Sequence, residues 1–204
     1  MSNSIEDKLS VLRQPFIIKE DGTSQTQRYN KGRVGFYFEK IFGITPNKDR
    51  RPDFGEWELK TVRLGGKITI GTLPDFEVKR ICCENIHSFK DSDPYTKMKN
   101  TFIIVYSKIS SYPEDQYVMH GWGSCKLENL SPAVTAILQK DYETICKEIK
   151  RYSSDQENLT KFLIKYGTIS GTYLSLGYKG AGSGGYNYPA WSFTSKFVKL
   201  LNHA

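Results

Sequence analysis

Between Trp57 and Val62 the side chains alternate, with Trp57, Leu59 and Thr61 on one face of a strand and Glu58, Lys60 and Val62 on the other. The charged pair therefore points together toward whatever confronts that second face. Asp53 lies on the turn leading in, where Pro52 fixes φ and Gly55 permits a bend. Two carboxylates and an ammonium are thus gathered at one end of a strand. Hard oxygen ligands of this kind suit Mg²⁺, which keeps several waters and takes one or two carboxylates plus substrate phosphate oxygens. A lysine beside such an ion can hold and help deprotonate an attacking water, while the charge growing on phosphorus oxygens is neutralised. That is a constellation for phosphodiester hydrolysis. The same spacing also fits the solvated face of an antiparallel strand, so the chemistry needs support from elsewhere in the chain.

The 204 residues are enough for one domain with a proper core, or one domain with a small lobe. Apolar residues at 38% and aromatic residues at 13% exclude wholesale disorder. A net charge of +7 favours a polyanionic partner. Cys82, Cys83, Cys125 and Cys146 form no C-x-x-C pair, and His87, His120 and His203 complete no zinc spacing. Reduced thiols in a cytoplasmic protein fit best. No apolar run approaches ~18 residues, so no membrane span is expected, and the first residues lack a signal-peptide pattern.

Along the chain, residues 5–13 read as a short helix stopped by Pro15, followed by an apolar patch at Phe16, Ile17 and Ile18. Residues 31–43 read as a helix closed by Gly43, with Val34, Phe38, Ile41 and Phe42 as its apolar stripe. Glu39 stands among these aromatics, a costly place for a charge unless it meets a cation; a pairing with Lys40 or Arg33 at the stripe's edge is equally open. Gly65-Gly66 predicts a hairpin turn into a strand at Lys67–Gly71, and Phe76–Ile81 reads as a further strand or the continuation of that one. Ser88–Pro94 reads as polar loop. Thr101–Tyr106 is a near-continuous apolar run, as in a strand buried on both faces. On a strand, Lys97 and Lys99 just before it would share a face. Gln116–Cys125 gives another strand.

Ser131-Pro132 predicts a helix start, and a second helix runs from Ser154 to a stop at Gly167. Thr172–Leu176 resembles a strand that empties into the glycine-rich loop Gly177–Tyr186, which lacks the order of a Walker loop. In the closing segment Pro189–Leu201, Phe193, Phe197, Leu200 and Leu201 recur at helical spacing.

Five blocks in order resemble the MutH-like branch of the PD-(D/E)xK nucleases, which includes the mismatch-repair nicking enzyme and related type II restriction endonucleases, among them GATC cutters and the MvaI/BcnI enzymes. Gly32–Gly43 is similar to the family's G-x-x-G-x-x-x-E-x-x-x-G helix, with Glu39 at its acidic position. Pro52-Asp53 and Glu58-Leu59-Lys60-Thr61 resemble its D…E-L-K-T metal site, with the short MvaI-like gap. Lys97 matches the second active-site lysine, and Tyr178-Lys179-Gly180-Ala181 resembles a DNA-contacting loop of the GATC cutters. Ala190-Trp191-Ser192-Phe193 resembles the aromatic start of the last segment. There the chain departs from the pattern, since Thr194-Ser195 stand where the family tends to carry lysine, and Lys196 follows one place later.

The resemblance implies an α+β, restriction-endonuclease-like fold, with a mixed central sheet flanked by helices and two arms forming a DNA cleft. It implies a single domain whose catalytic part spans about 1–128 and whose DNA-reading lobe spans about 130–204. Asp53, Glu58 and the Leu59 carbonyl would hold Mg²⁺, Lys60 would orient the water, Lys97 would supply a second cation, and Glu39 would sit in the outer shell. Tyr178, Lys179, Gly180, Ser192 and Lys196 would meet double-stranded DNA. Glu56 is a competing carboxylate, one pleat further from Lys60 than Glu58. A type II restriction endonuclease with a matching methyltransferase, a mismatch-repair nicking enzyme and a catalytically silent DNA-binding relative all remain open. So do the target sequence and the choice between monomer and dimer.

Overall fold

A computed structural model of the chain describes residues 16–18, 32–44, 52–53, 55–83, 88–110, 115–179 and 187–201. The helix expected at 5–13 and most of the glycine-rich loop, including Gly180, lie outside these residues. The chain divides into two compact units, one formed by Met1–Gly65 with Asn100–Cys125 and the other by Gly66–Lys99 with Lys126–Ala204. The division is therefore not one cut along the sequence.

The first unit is built on a four-stranded mixed sheet in the order β1-β5-β4-β2, comprising β1 (Phe16–Ile17), β2 (Glu58–Arg63), β4 (Asn100–Ser110) and β5 (Gln116–Lys126). β1 and β5 run antiparallel, whereas β2 and β4 run parallel, with Glu58 opposite Thr101 and Lys60 opposite Ile103. Helix α1 (Arg33–Phe42) ends at Gly43 in the left-handed region (φ 71°), the conformation for which the glycine was read as a stop. Its residues Val34 and Phe38 pack with Phe16, Leu59, Phe102, Ile104, Tyr117 and Met119. Phe38 is fully enclosed and meets Phe16 edge-on, while Tyr37 stacks on Phe16 at 5.0 Å. Burying a side chain of this size contributes about 1.5–3 kcal/mol, which fastens α1 to the strand that carries the charged motif.

The second unit holds a four-stranded antiparallel sheet, β3-β8-β7-β6, formed by β3 (Ile68–Thr72), β6 (Ile169–Ser170), β7 (Leu174–Lys179) and β8 (Tyr188–Phe193). Its helices are α2 (Asp75–Cys83), α3 (Asp93–Met98), α4 (Pro132–Tyr152), α5 (Gln156–Tyr166) and α6 (Ser195–Leu201). Ser131 caps α4 by accepting from the Val134 N–H, as its place before Pro132 predicted, whereas the helix expected from Ser154 starts at Gln156, with Asp155 as its cap accepting from the Asn158 N–H. Buried Asp141 on α4 accepts the N–H groups of Thr172, Tyr173 and Leu174 at 2.9, 2.6 and 3.0 Å, tying the turn before β7 to that helix. None of the described helices is long and apolar enough to cross a membrane.

Three local expectations are corrected. Gly65-Gly66 does make a turn, with Gly65 at φ 74°, but β2 and β3 do not pair as a hairpin. β2 takes β4 as its partner and β3 takes β8, across intervals no local signal encodes. Residues 75–83 form a helix and not a strand, with Glu77, Val78 and Ile81 buried and the Asp75–Lys79 and Glu77–Arg80 pairs at helical spacing. Phe193 closes β8, so the helix expected in the last segment begins only at Ser195.

Candidate active site

The alternation read from Trp57 to Val62 is present. Leu59 belongs to the core under α1, Trp57 packs against that core, and Thr61 lies toward Gly35 of the same helix. On the opposite face the Lys60 ammonium donates to the Glu58 carboxylate. The Glu58 side chain is 5% exposed and that of Lys60 20%, so the pair is largely out of water. Glu56, by contrast, is exposed. Asp53 accepts the Leu59 N–H through Oδ2 at 2.9 Å, with the intervening chain turned at Gly55 (φ 57°). β2 is the last strand of its sheet, and the Leu59 N–H is turned toward Asp53, away from β4. Because the N–H and C=O of one strand residue point to the same side of the strand, the Leu59 carbonyl is directed the same way.

Glu39, reaching from α1, shares this environment. Burial raises its pKa above the ordinary carboxylate range, the negative charges of Asp53 and Glu58 push it further, and the Lys60 ammonium opposes them. The alternative pairing of Glu39 with Arg33 is not made. Arg33 instead binds Asp115 at 2.9 Å and the Ile18 carbonyl at 3.1 Å. Asp115 also binds Lys108 at 2.6 Å and the Tyr117 hydroxyl at 3.1 Å; the Lys108 ammonium holds its carboxyl below the usual range. Burial, with Asp115 alongside, pushes Tyr117 up to about 12. This anchor fixes the start of the helix that bears Glu39. No sequence signal announced it, since Arg33 and Asp115 lie 82 positions apart.

Three carboxylates thus share the field of one ammonium, an excess of negative charge that a bound cation would relieve. The donors are carboxylate and carbonyl oxygens, which fit a hard divalent ion. Among the described residues no group of three or more His, Cys, Asp or Glu side chains is placed to hold a metal ion, so an ion here would rest on fewer carboxylates together with backbone and water oxygens. Cys125 and Cys146 are buried, and burial pushes their thiols up to about 11 and about 12, away from nucleophilic use.

The remaining candidates lie in the second unit. Lys97 sits in the last turn of α3, a helix capped by Ser92 with Pro94 in its first turn. The expectation that Lys97 and Lys99 share a strand face is therefore corrected. Lys99 ends the helix and lies 3.8 Å from Glu128, whereas Lys97 lies along Gly71 of β3. Tyr178 and Lys179 are exposed at the end of β7, opposite Pro189 and Tyr188. Ser192 is buried in β8, where its carbonyl accepts from the Ser175 hydroxyl, and Lys196 is exposed on α6.

A search of curated proteins returns no match. Among solved structures, the fold is similar to that of the restriction endonuclease MvaI in complex with its cognate DNA substrate. That likeness covers 98% of this chain and 97% of the other, at a TM-score of 0.52 and 10% identity, and so speaks to the fold alone. The family model of the MvaI/BcnI restriction endonucleases matches residues 13–116, slightly more than half the chain. The matched segment contains Glu39, Asp53, Glu58, Lys60 and Lys97 and stops short of Tyr178, Lys179, Ser192 and Lys196. The chain belongs to the MvaI/BcnI restriction endonuclease family.

Proposed function

We propose that the protein is a Mg²⁺-dependent type II restriction endonuclease that hydrolyses phosphodiester bonds at a specific sequence in double-stranded DNA, in a cell whose own sites a methyltransferase protects. The observation that carries this reading is the Glu58–Lys60 pair on an edge strand, with Asp53 held at the strand's start and Glu39 in the same field. Asp53, Glu58 and the Leu59 carbonyl would hold the ion. When bound, the ion would neutralise charge on the phosphorus oxygens and acidify a water molecule. Lys60 orients that water; its bond to Glu58 keeps the ammonium directed along the strand's charged face. The attacking water gives up a proton to solvent as its oxygen forms the new P–O bond, one ester P–O bond breaks, and the departing sugar oxygen takes up a proton from solvent. Lys97 supplies a second cation to the phosphate, and Glu39 steadies the groups around the ion. Tyr178, Lys179 and Lys196 meet DNA.

The test is cleavage of unmethylated plasmid and genomic DNA by the wild type and by Lys60→Ala, in Mg²⁺ and in EDTA, with binding followed in Ca²⁺. Wild type should give discrete fragments that need Mg²⁺. Lys60→Ala should lose cleavage while its binding stays within a few-fold, because the loss falls on the transition state. Retention of more than about a tenth of wild-type turnover, a loss under ~1.4 kcal/mol, would refute the role of Lys60. Binding without cleavage by the wild type would favour a silent DNA-binding relative.

A further inference from the structure

Gly71 carries no backbone reason to be glycine. The described glycines in the left-handed region are Gly43, Gly55, Gly65 and Gly167, and Gly71 is not among them. It sits in β3, at the edge of the antiparallel sheet, where β-branched residues are ordinarily favoured. The three atoms nearest a Cβ placed there all belong to Lys97, with Cδ and Nζ at 3.4 Å and Cε at 3.7 Å. The Lys97 side chain therefore lies against the space that a side chain larger than alanine at 71 would fill.

The strand is also irregular at this point. Thr69 pairs with Ser192 and Gly71 with Trp191, so Ile70 is an extra residue between two consecutive partners. A bulge of this kind re-aims the side chains around it. Helix α3, in which Pro94 and Met98 are buried and Ser92 caps the first turn, lies beside β3. Lys97 is half-buried, and among the described residues no carboxylate pairs with its ammonium. Lys99, two positions on, is turned toward Glu128 and has no comparable path.

We propose that Gly71 is a positioning residue for cleavage: the bulge and the missing side chain together form the track along which Lys97 is extended, and its ammonium is thereby held ready for a DNA phosphate. The proposal rests on the reading of Lys97 as the second active-site cation. Gly71 acts through Lys97 and touches no substrate.

The experiment compares Gly71→Ala, Gly71→Ser and Gly71→Val in the wild type and in a Lys97→Ala background, with single-turnover cleavage in Mg²⁺, DNA binding in Ca²⁺ and thermal melting measured for each. In the wild-type background the alanine variant should cleave within about threefold, since a 3.4 Å contact is relieved by a small shift of a flexible side chain. Valine should lower the cleavage rate at least about tenfold while binding stays within about threefold, the signature of an effect on the transition state. In the Lys97→Ala background the same valine should change the rate by less than about twofold, because residues acting through one another are not additive. The serine variant reads the same coupling at smaller amplitude if valine prevents folding. An equal loss on valine substitution in both backgrounds, or none in either, overturns the proposal. Wild-type cleavage by Lys97→Ala overturns the reading of Lys97 beneath it, whereas an impaired Lys97→Ala with an unimpaired Gly71→Val removes only the role of Gly71.

Discussion

Asp53 does two things that substitution can separate. Its Oδ2 accepts the Leu59 N–H at 2.9 Å, which holds the entry turn against the edge strand, and its charge is one of those proposed to hold the ion. Asp53→Asn keeps an oxygen in place for the Leu59 N–H but carries no charge; Asp53→Ala removes both. A hydrogen bond to a charged group contributes ~1.5–3 kcal/mol and a neutral one ~0.5–1.5 kcal/mol. The alanine variant should therefore lose about 1.5–3 kcal/mol of stability, and the asparagine variant about 1 kcal/mol. Removing the charge also relieves repulsion on Glu39, which brings the asparagine variant nearer the wild type. For a chain of this length the difference between the two variants corresponds to about 2–8 °C in melting temperature. Cleavage should fail equally in both, by about a hundredfold or more, roughly 2.7 kcal/mol. The assay is paired: thermal melting in EDTA, and plasmid cleavage over a range of Mg²⁺ concentrations. Cleavage by Asp53→Asn within about tenfold of wild type would refute the role of the charge. Equal melting temperatures for the two variants would refute the hydrogen bond.

Glu39→Gln should be more stable than wild type near pH 7 in EDTA. The native state favours the protonated carboxyl, so as pH rises through the raised pKa the wild type must carry a half-buried charge beside Asp53 and Glu58, whereas glutamine carries none. The gap should close as pH falls below about 4.3, where the carboxyl is neutral in both states, and a constant gap across pH would count against the shared field. Gly171→Ala should destabilise by about 2–4 kcal/mol, because its Cβ would lie 2.3 Å from Asp141 Cγ and displace a carboxylate that binds three N–H groups; an unchanged denaturation midpoint would contradict this. Lys179→Ala should reduce the preference for the cognate site over a single-base variant by ~1–3 kcal/mol, measured as binding in Ca²⁺ at two salt concentrations. Equal losses on both duplexes with a shallower salt slope would make Lys179 a phosphate anchor only.

Several elements were legible because their causes are local. The stripe of Val34 and Phe38 with Gly43 behind it makes α1, the Ser131-Pro132 pair starts α4, and strict alternation from Trp57 makes β2. The charged motif was readable for the same reason, since alternation alone puts Glu58 and Lys60 on one face. What remained hidden depends on partners distant in the chain. The spaced apolar residues Phe76, Val78 and Ile81 serve a strand or a helix equally well, and only packing, with Val78 and Ile81 buried on one side, decides for α2. A glycine pair permits a turn but does not choose a partner, so the pairing of β3 with β8 had no local signal. Glu39 was visible as a carboxylate among aromatics, but the contest for its neighbours was settled by Asp115, which takes Arg33 from 82 positions away. In Gly71 the residue type was plain and its setting was not, because the atoms nearest its missing Cβ belong to Lys97, far along the chain. Periodicity and caps act within a few residues of the chain; pairing, charge competition and excluded volume act across space, and only the folded molecule decides them.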